Sequence, residues 1–305
     1  MPFPQSPGPI GVFDSGYGGL TILKSLRARL PQYDYLYLGD NARAPYGTRS
    51  FDVVYRYTRQ CVEALFQRGC HLVILACNTA SAKALRTIQQ KDLPRWENIE
   101  GYGERTEESG DGNEGKGTEK GGPLPSRRVL GVIRPTAETI GHISKTRHVG
   151  IFATTGTIRS HSYDIEIHKF FPDLIVTEQD CPMWVPLVEN FEYDKPGADY
   201  FVQQRINLIL ERDPKIDTLL LACTHYPLLL PKIREYTPKG VNIISQGEYV
   251  ARSLEDYLHR HTEMERKLTR GHSLVCLTTE NPEKFNTTAT HFLQENVLAQ
   301  NIRLD

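Results

Sequence analysis

One local pattern occurs twice in the chain and constrains its fold more than any other feature. In each copy an apolar run ends in Ala-Cys and then passes through small polar residues; the copies are residues 72–82 and 218–226. A short apolar run bounded by such a change of composition indicates a buried strand of a parallel sheet. Cys77 and Cys223 are therefore predicted at the carboxyl ends of strands, where ligands bind in open α/β sheets.

The two cysteines have a structural interpretation and a chemical one. Taken singly, each is typical of a reduced thiol buried in a protein core. A helix is predicted to follow Cys77, and its free N–H groups and positive dipole end favour a thiolate at that position. Two thiols at matching positions indicate a pair of acid/base groups on opposite sides of one pocket.

Composition argues against several classes of protein. The formal net charge is −1 and no dense run of Lys and Arg occurs, so binding to nucleic acid or to an anionic membrane has no electrostatic support. No apolar run approaches the ~20 residues that a membrane span requires. The six cysteines form no C-x-x-C pair, which argues against a metal site and against a redox pair. We therefore expect a cytoplasmic protein with free thiols.

Alternating strands and helices place the chain in the α/β class. The predicted strands beyond the two cysteine strands are residues 10–13, 35–38, 129–133, 148–153, 241–244 and 273–277. The predicted helices are residues 20–30, 51–68, 80–90, 136–144, 198–212, 249–261 and 282–296. Such alternation predicts parallel sheets with crossover helices. The doubled cysteine pattern suggests two similar α/β domains that face each other.

A glycine-rich turn, residues 14–19, follows the first predicted strand and opens a helix. Such a turn suits an anion, because free N–H groups point outward from a helix N-terminus. A dinucleotide site is the main alternative, but the G-x-G-x-x-G pattern requires a third glycine where Thr21 stands. Asp14 and Ser15 are predicted either to contact a small polar ligand or to cap the helix.

Two further segments are polar. Residues 97–122 are mostly Gly, Glu, Lys, Thr, Ser and Asp, so this segment cannot offset its ordering entropy and is predicted to be a mobile surface loop within an insertion, residues 97–126. Residues 40–50 are rich in turn-forming side chains and form either a surface connection or part of a site.

Several motifs together resemble those of the glutamate racemase family. They are residues 11–21, 39–50, 76–82, 153–157 and 223–229. The resemblance implies a cofactor-independent, metal-free racemase that interconverts L- and D-glutamate and supplies D-glutamate for peptidoglycan. It also implies a homodimer of chains with two pseudo-symmetric α/β domains, each a mainly parallel sheet flanked by helices, with the active site in the cleft between them. The implied domains are residues 10–134 together with 244–305, and residues 135–243.

The resemblance further implies the roles of individual residues. Cys77 would take the α-proton from D-glutamate and Cys223 would take it from L-glutamate. Asp14 and His225 would assist the two cysteines, and Glu189 would lie near His225. The implied substrate-binding residues are Asp14, Ser15, Tyr46, Gly47, Asn78, Thr79, Thr157, Thr224 and His225.

The chain departs from the family pattern in its insertion, at Thr155, at residues 134–137 and at residues 245–247. None of these departures touches the cysteines, so the expected chemistry is unchanged, whereas regulation and dimer geometry stay open. An aspartate racemase of the same fold is the nearest alternative. A binding protein that has lost the reaction is disfavoured by the intact cysteine motifs, and a thiol-redox protein by the lack of a resolving cysteine.

Overall fold

Two parallel sheets form the framework of the protein. The structure, a computed structural model, describes residues 3–97 and 126–304, so the predicted insertion, residues 97–126, lies outside the described residues except at its two ends. The described strands are β1 (Ile10–Asp14), β2 (Tyr35–Gly39), β3 (Leu72–Leu75), β4 (Arg128–Gly131), β5 (His148–Ala153), β6 (Ile175–Asp180), β7 (Thr218–Leu221), β8 (Asn242–Ser245), β9 (Leu274–Thr278) and β10 (Ala299–Asn301). The larger sheet has the order β10-β9-β2-β1-β3-β4, and the smaller has the order β6-β5-β7-β8.

Helices connect successive strands of each sheet. They are α1 (Gly19–Arg29), α2 (Phe51–Gln67), α3 (Asn78–Lys83), α4 (Leu85–Thr87), α5 (Leu93–Trp96), α6 (Ile133–Ile143), α7 (Thr155–Ile158), α8 (Ser162–Phe170), α9 (Trp184–Glu189), α10 (Pro196–Arg212), α11 (Leu230–Tyr236), α12 (Gly247–Arg260), α13 (Thr262–Glu265) and α14 (Pro282–Leu293). Short 3₁₀ helices at Asn41–Arg43 and Tyr226–Leu229 and a π-helical turn at Ile88–Asp92 complete the set. None of the helices in the described ranges combines the length and the apolarity that crossing a bilayer requires.

The central strands of the larger sheet are buried on both faces because their side chains alternate between two apolar clusters. Val12 and Ile74 pack with α1, whereas Phe13 and Leu75 pack with α2 on the other face. This alternation is the period of two that a strand imposes on its side chains. The cluster around α1 also includes Phe152 and Leu221 of the smaller sheet, so apolar packing is continuous between the two halves. The α/β class with two parallel sheets is therefore confirmed.

Two predicted elements are wrong in detail. The strand predicted at residues 129–133 is shorter and the helix predicted at residues 136–144 begins earlier: β4 ends at Gly131 and α6 begins at Ile133. Pro135 lies in the first turn of α6, where backbone N–H groups have no acceptor within the helix. The N–H that proline lacks is therefore not missed there. The single helix predicted at residues 80–90 is instead a series of short helical pieces from α3 to α5, interrupted by the π-helical turn.

The proposed domain bounds run close to the sheet boundaries. The predicted division between residues 243 and 244 falls inside β8, which pairs along its whole length with β7 in the smaller sheet. The chain then returns through α12 to the larger sheet, where α12 packs with α1. The domain limits themselves stay a prediction.

Candidate active site

A cavity of about 310 Å³ lies where the carboxyl ends of strands from both sheets meet. Register explains this meeting: β1 and β3 run parallel and side by side, as do β5 and β7, so the residues that follow them gather at one edge of each sheet. The lining residues are Asp14, Ser15, Gly16, Ala44, Pro45, Tyr46, Gly47, Thr48, Cys77, Asn78, Thr79, Thr154, Thr155, Cys181, Pro182, Val185, Pro186, Glu189, Asn190, Cys223, Thr224 and His225. All but one of the residues predicted for the site therefore line a single cavity.

Cys77 occupies the position before α3 that a capping residue takes. The backbone N–H of Ala80 lies 3.4 Å from its Sγ, and Ser15 Oγ lies 3.2 Å from the same sulfur. Both contacts favour the thiolate; the sequence predicted the contact with the helix N–H, and the contact with Ser15 adds to it. Burial outweighs them and, with the nearby charge of Asp14, raises the pKa of Cys77 to about 12. At neutral pH this residue is accordingly a thiol, able to give up a proton to a strong base.

Asp14 lies at the end of β1 and is buried. The N–H of Gly16 donates to its Oδ2 at 2.9 Å, which fixes the carboxylate in the turn. Burial raises the pKa of Asp14, whereas the positive charge of His225 and the N–H groups of Gly19 and Gly16 act in the opposite direction. Asp14 thus places a titratable carboxyl group in the cavity wall, close enough to His225 for their charges to interact.

The second cysteine forms a chain of contacts with a histidine and a glutamate. Cys223 Sγ lies 3.8 Å from His225 Nδ1, and His225 Nε2 lies 3.0 Å from Glu189 Oε1. Burial by itself would lower the pKa of His225, but its hydrogen bonds to Cys223 and Glu189 outweigh burial and raise this pKa to about 10. His225 is therefore an imidazolium at neutral pH, held against a sulfur on one side and a carboxylate on the other.

Gly18 explains how α1 approaches this group so closely. A Cβ at Gly18 would lie 2.4 Å from His225 Nδ1 and 2.4 Å from Thr224 Oγ1. The N-terminus of α1 is also tied to the smaller sheet by Thr21, whose hydroxyl donates to the carbonyl of Thr224 at 2.9 Å. Only glycine leaves room for the imidazolium between α1 and the turn after β7.

Hydroxyl groups form another part of the cavity wall. Thr79 Oγ1 lies 3.1 Å from Thr154 Oγ1 and 3.4 Å from Thr157 Oγ1. Thr157, the one predicted residue that does not line the cavity, is buried behind this pair and also contacts Thr154 Oγ1 at 3.1 Å. Tyr46 is held from behind by a hydrogen bond from its hydroxyl to the buried Asp40 carboxylate.

Sequence reasoning missed one wall of the cavity. Cys181 and Pro182 follow β6, and Val185 and Pro186 lie in α9. The rule that selected Cys77 and Cys223 applies to Cys181 as well, because it too follows a strand of a parallel sheet. The signal was weaker because polar residues dominate β6, which reads Ile-Val-Thr-Glu-Gln-Asp.

The charge of the lining is unusual for a site that would bind an anion. His225 is the lining residue that carries a positive charge; no Lys or Arg of the described ranges lines the cavity. Nor do the described residues contain a group of three or more His, Cys, Asp or Glu side chains arranged to hold a metal ion. The arrangement offers three thiols, one imidazolium, two carboxyl groups and a set of neutral hydrogen-bonding groups around a space of amino-acid size.

Sequence comparison identifies close relatives, although no protein-family model matches the chain. A glutamate racemase of Paracoccus denitrificans is 37% identical over 298 residues, which cover 94% of this chain and 97% of that protein. A glutamate racemase of Ruegeria pomeroyi is 35% identical over 298 residues, with coverage of 94% and 97%.

Solved structures agree with the sequence relatives. Glutamate racemase isoform RacE1 from Bacillus anthracis superposes with a TM-score of 0.80 at 30% identity, covering 97% of this chain and 98% of that one. The glutamate racemase of Francisella tularensis, solved in complex with D-glutamate, superposes with a TM-score of 0.78 at 28% identity and covers 97% of this chain and 98% of its own. From identity across nearly the whole length and from the shared fold, the chain belongs to the glutamate racemase family and is an isomerase.

Proposed function

We propose that this isomerase interconverts L- and D-glutamate by means of two thiols, Cys77 and Cys223, that act on opposite faces of the α-carbon. One observation carries the proposal: two cysteines that end strands of two separate sheets line the same small cavity. Removal of an α-proton requires a positioned base, and inversion requires an acid on the other face. A pair of thiols from opposing sheets can supply both.

The two thiols have different surroundings, which suggests the resting state. The His225 imidazolium lies 3.8 Å from Cys223 Sγ, so a positive charge faces the sulfur that we assign as the base toward L-glutamate. Burial keeps Cys77 protonated, with a pKa of about 12. Starting from L-glutamate, the Cys223 thiolate takes the α-proton, the C–H bond breaks, and Cys77 donates its proton to the other face to give D-glutamate. The reverse reaction starts with Cys77 as thiolate and Cys223 as thiol.

Substrate binding is proposed for the polar residues that line the cavity around the thiols. The D-glutamate complex of the Francisella tularensis relative supports an amino acid as the occupant. Without a lining Lys or Arg, the carboxylates would be held by neutral donors and by the His225 charge. The proposed contacts are Asp14, Ser15, Tyr46, Gly47, Asn78, Thr79, Thr224 and His225, with Thr157 supporting Thr79 from behind.

Membership of the family suggests the setting of the reaction. We propose that D-glutamate is supplied to peptidoglycan synthesis in the cytoplasm, that the enzyme is a homodimer and that it needs no cofactor. Sedimentation equilibrium of the purified chain tests the dimer, since a monomer mass across the concentration range contradicts it. Activity after exhaustive dialysis against chelator tests the independence from cofactors.

The two-thiol mechanism is tested by circular dichroism of L-glutamate and D-glutamate, with Cys77→Ser and Cys223→Ser beside the wild type. Each variant is expected to lose about 10²–10⁴-fold in racemisation, because a hydroxyl is a far poorer base than a thiolate. Cys70→Ser is the matched control: Cys70 is a buried thiol whose pKa burial also raises to about 12, but it lies in the core outside the cavity. Normal racemisation by Cys77→Ser in both directions contradicts the assignment.

An isotope experiment separates two bases from one. In deuterated water, wild type that starts from L-glutamate should place solvent deuterium in the D-glutamate formed at early times, because the donating thiol carries a solvent-derived proton. A single base that serves both faces would return much of the substrate's own proton to the product. Retention of the original proton in early product therefore overturns the two-thiol proposal.

A further inference from the structure

Asn78 belongs to a closed ring of hydrogen bonds behind the cavity. Its Nδ2 donates to Gln246 Oε1 at 2.7 Å, and its Oδ1 accepts from the hydroxyl of Tyr163 at 2.5 Å. Gln246 Nε2 donates to that same hydroxyl at 2.6 Å, which closes the ring. All three side chains are buried, and each comes from a different element: α3, α8 and the residue before α12.

A backbone carbonyl outside the ring fixes its direction. Gln246 Nε2 also donates to the carbonyl oxygen of Val132 at 3.1 Å. A carbonyl oxygen can only accept, so the Gln246 amide must turn its NH₂ toward Val132 and its oxygen toward Asn78. Asn78 must then present its own NH₂ to Gln246 and its oxygen to Tyr163. One acceptor on the main chain thus determines which way the Asn78 amide points.

This direction matters because Asn78 also lines the cavity. Its bond to Gln246 uses one N–H of Nδ2, and among the residues that the structure describes no group accepts from the other. An asparagine amide in the opposite orientation would offer an oxygen, which repels a carboxylate. The ring therefore decides whether Asn78 meets an anionic ligand with a donor or with an acceptor.

We propose that Gln246 is a positioning residue: through the ring with Tyr163, it holds the Asn78 amide so that a free N–H faces the substrate. The inference rests on the proposed function, in which Asn78 contacts a carboxylate of glutamate. Gln246 does not line the substrate cavity, although it lines a neighbouring one with Cys223 and Thr224; its hydrogen bond to Asn78 is the contact through which it is expected to act on the substrate.

The test is a double-mutant cycle of Gln246→Leu and Asn78→Ala, with KM and kcat measured for both enantiomers. Gln246→Leu removes the amide at nearly constant volume and is expected to raise KM about tenfold with little change in kcat, the size expected for a misplaced hydrogen bond to a charged group. In the Asn78→Ala background the same change should leave KM unaltered. A structural role of Gln246 at the junction of the two sheets would instead act equally in both backgrounds.

Matched controls distinguish an effect of the ring on KM from the general effect of losing a hydrogen bond. Gln89→Leu removes an amide that also donates to a strand carbonyl, Val129 O, at 2.8 Å. Tyr35→Phe removes a buried hydroxyl that donates to Leu30 O at 2.9 Å. Both controls are expected to keep wild-type KM. Should Gln246→Leu fail to fold, Tyr163→Phe in the same cycle carries the test, because it opens the ring at the Asn78 oxygen.

The outcomes distinguish the inference from the proposed function. A wild-type KM in Gln246→Leu beside a raised KM in Asn78→Ala overturns the inference and leaves the role of Asn78 intact. An equal rise of KM in both backgrounds also overturns it, since the effect would not pass through Asn78. A wild-type KM in Asn78→Ala overturns both the substrate contact and the inference built on it.

Discussion

Glu189 provides the sharpest test of the charge arrangement at Cys223. Its Oε1 lies 3.0 Å from His225 Nε2, and the glutamate side chain is 27% exposed whereas the histidine side chain is 7% exposed. Glu189→Gln keeps the shape and an acceptor oxygen but removes the negative charge. The change therefore isolates how far the negative charge of Glu189 raises the pKa of His225.

The size of the effect follows from the strength of such a bond. Hydrogen bonds to charged groups contribute about 1.5–3 kcal/mol, which corresponds to about one to two pKa units. The pKa of His225, about 10 in the wild type, should fall by that amount in Glu189→Gln. His225 supplies the positive charge of the cavity lining, so its deprotonation removes the charge that, under the proposed function, holds the substrate carboxylates and faces the Cys223 sulfur. Racemisation is therefore lost as pH rises through this pKa.

The assay is kcat/KM as a function of pH, followed by circular dichroism from both enantiomers. The pH at which kcat/KM falls on the alkaline side should be about one to two units lower in Glu189→Gln, whereas the acid side of the profile should change little. The ammonium group of the substrate titrates identically with both enzymes, so the difference between the two profiles reports the protein. Glu192→Gln, an exposed glutamate in the following turn, is the matched control. Superimposable alkaline limbs for wild type and Glu189→Gln refute the reasoning.

Two further predictions follow from the packing of the chain. Gly18→Ala places a methyl group 2.4 Å from His225 and Thr224, and the resulting misplacement of these residues should lower kcat/KM by about 10²-fold. Gly197→Ala, which has open space at its Cβ, should behave as wild type. Activity and urea unfolding of both variants check this prediction. Replacement of residues 98–125 by a short Gly-Ser linker should change racemisation by no more than about threefold, because Glu97 holds the ends together through Ser126 Oγ at 2.9 Å and Arg127 N at 2.9 Å. Loss of soluble protein or of activity in the linker variant would show that the insertion contributes to packing or catalysis.

The parts of the site that the sequence predicted share one physical origin. A strand that ends at small polar residues can be recognised in a sequence, because burial and strand geometry both act on neighbouring positions. Asp14, Cys77 and Cys223 were found in this way, and the structure places all three around one cavity. Glu189 was placed near His225 only by resemblance, since the two are 36 positions apart and no local pattern connects them.

The parts that the sequence did not predict depend on contacts between distant elements. The π-helical turn at Ile88–Asp92 interrupts a segment of good helix formers; there the buried Asp92 accepts from Tyr55 at 2.9 Å and from Arg59 at 3.0 Å. Such tertiary bonds override local propensity. The orientation of Asn78 is a stronger case, because it is set by Gln246, 168 positions away in the chain.

The two thiols occupy matching positions in the fold, yet the surroundings make them chemically unequal. A symmetric pair would share one proton without preference, whereas burial raises the pKa of Cys77 to about 12 and an imidazolium stands beside Cys223. Under the proposed mechanism, each conversion of L- to D-glutamate leaves Cys77 as a thiolate and Cys223 as a thiol. That state is unfavourable at neutral pH because the Cys77 thiolate is strongly basic in its buried position. The Cys77 thiolate is therefore expected to take up a proton again in the free enzyme. Equal free energies of the two enantiomers require equal kcat/KM in both directions, so we expect any kinetic effect of this inequality in the separate kcat and KM values for L- and D-glutamate, whose ratios must agree.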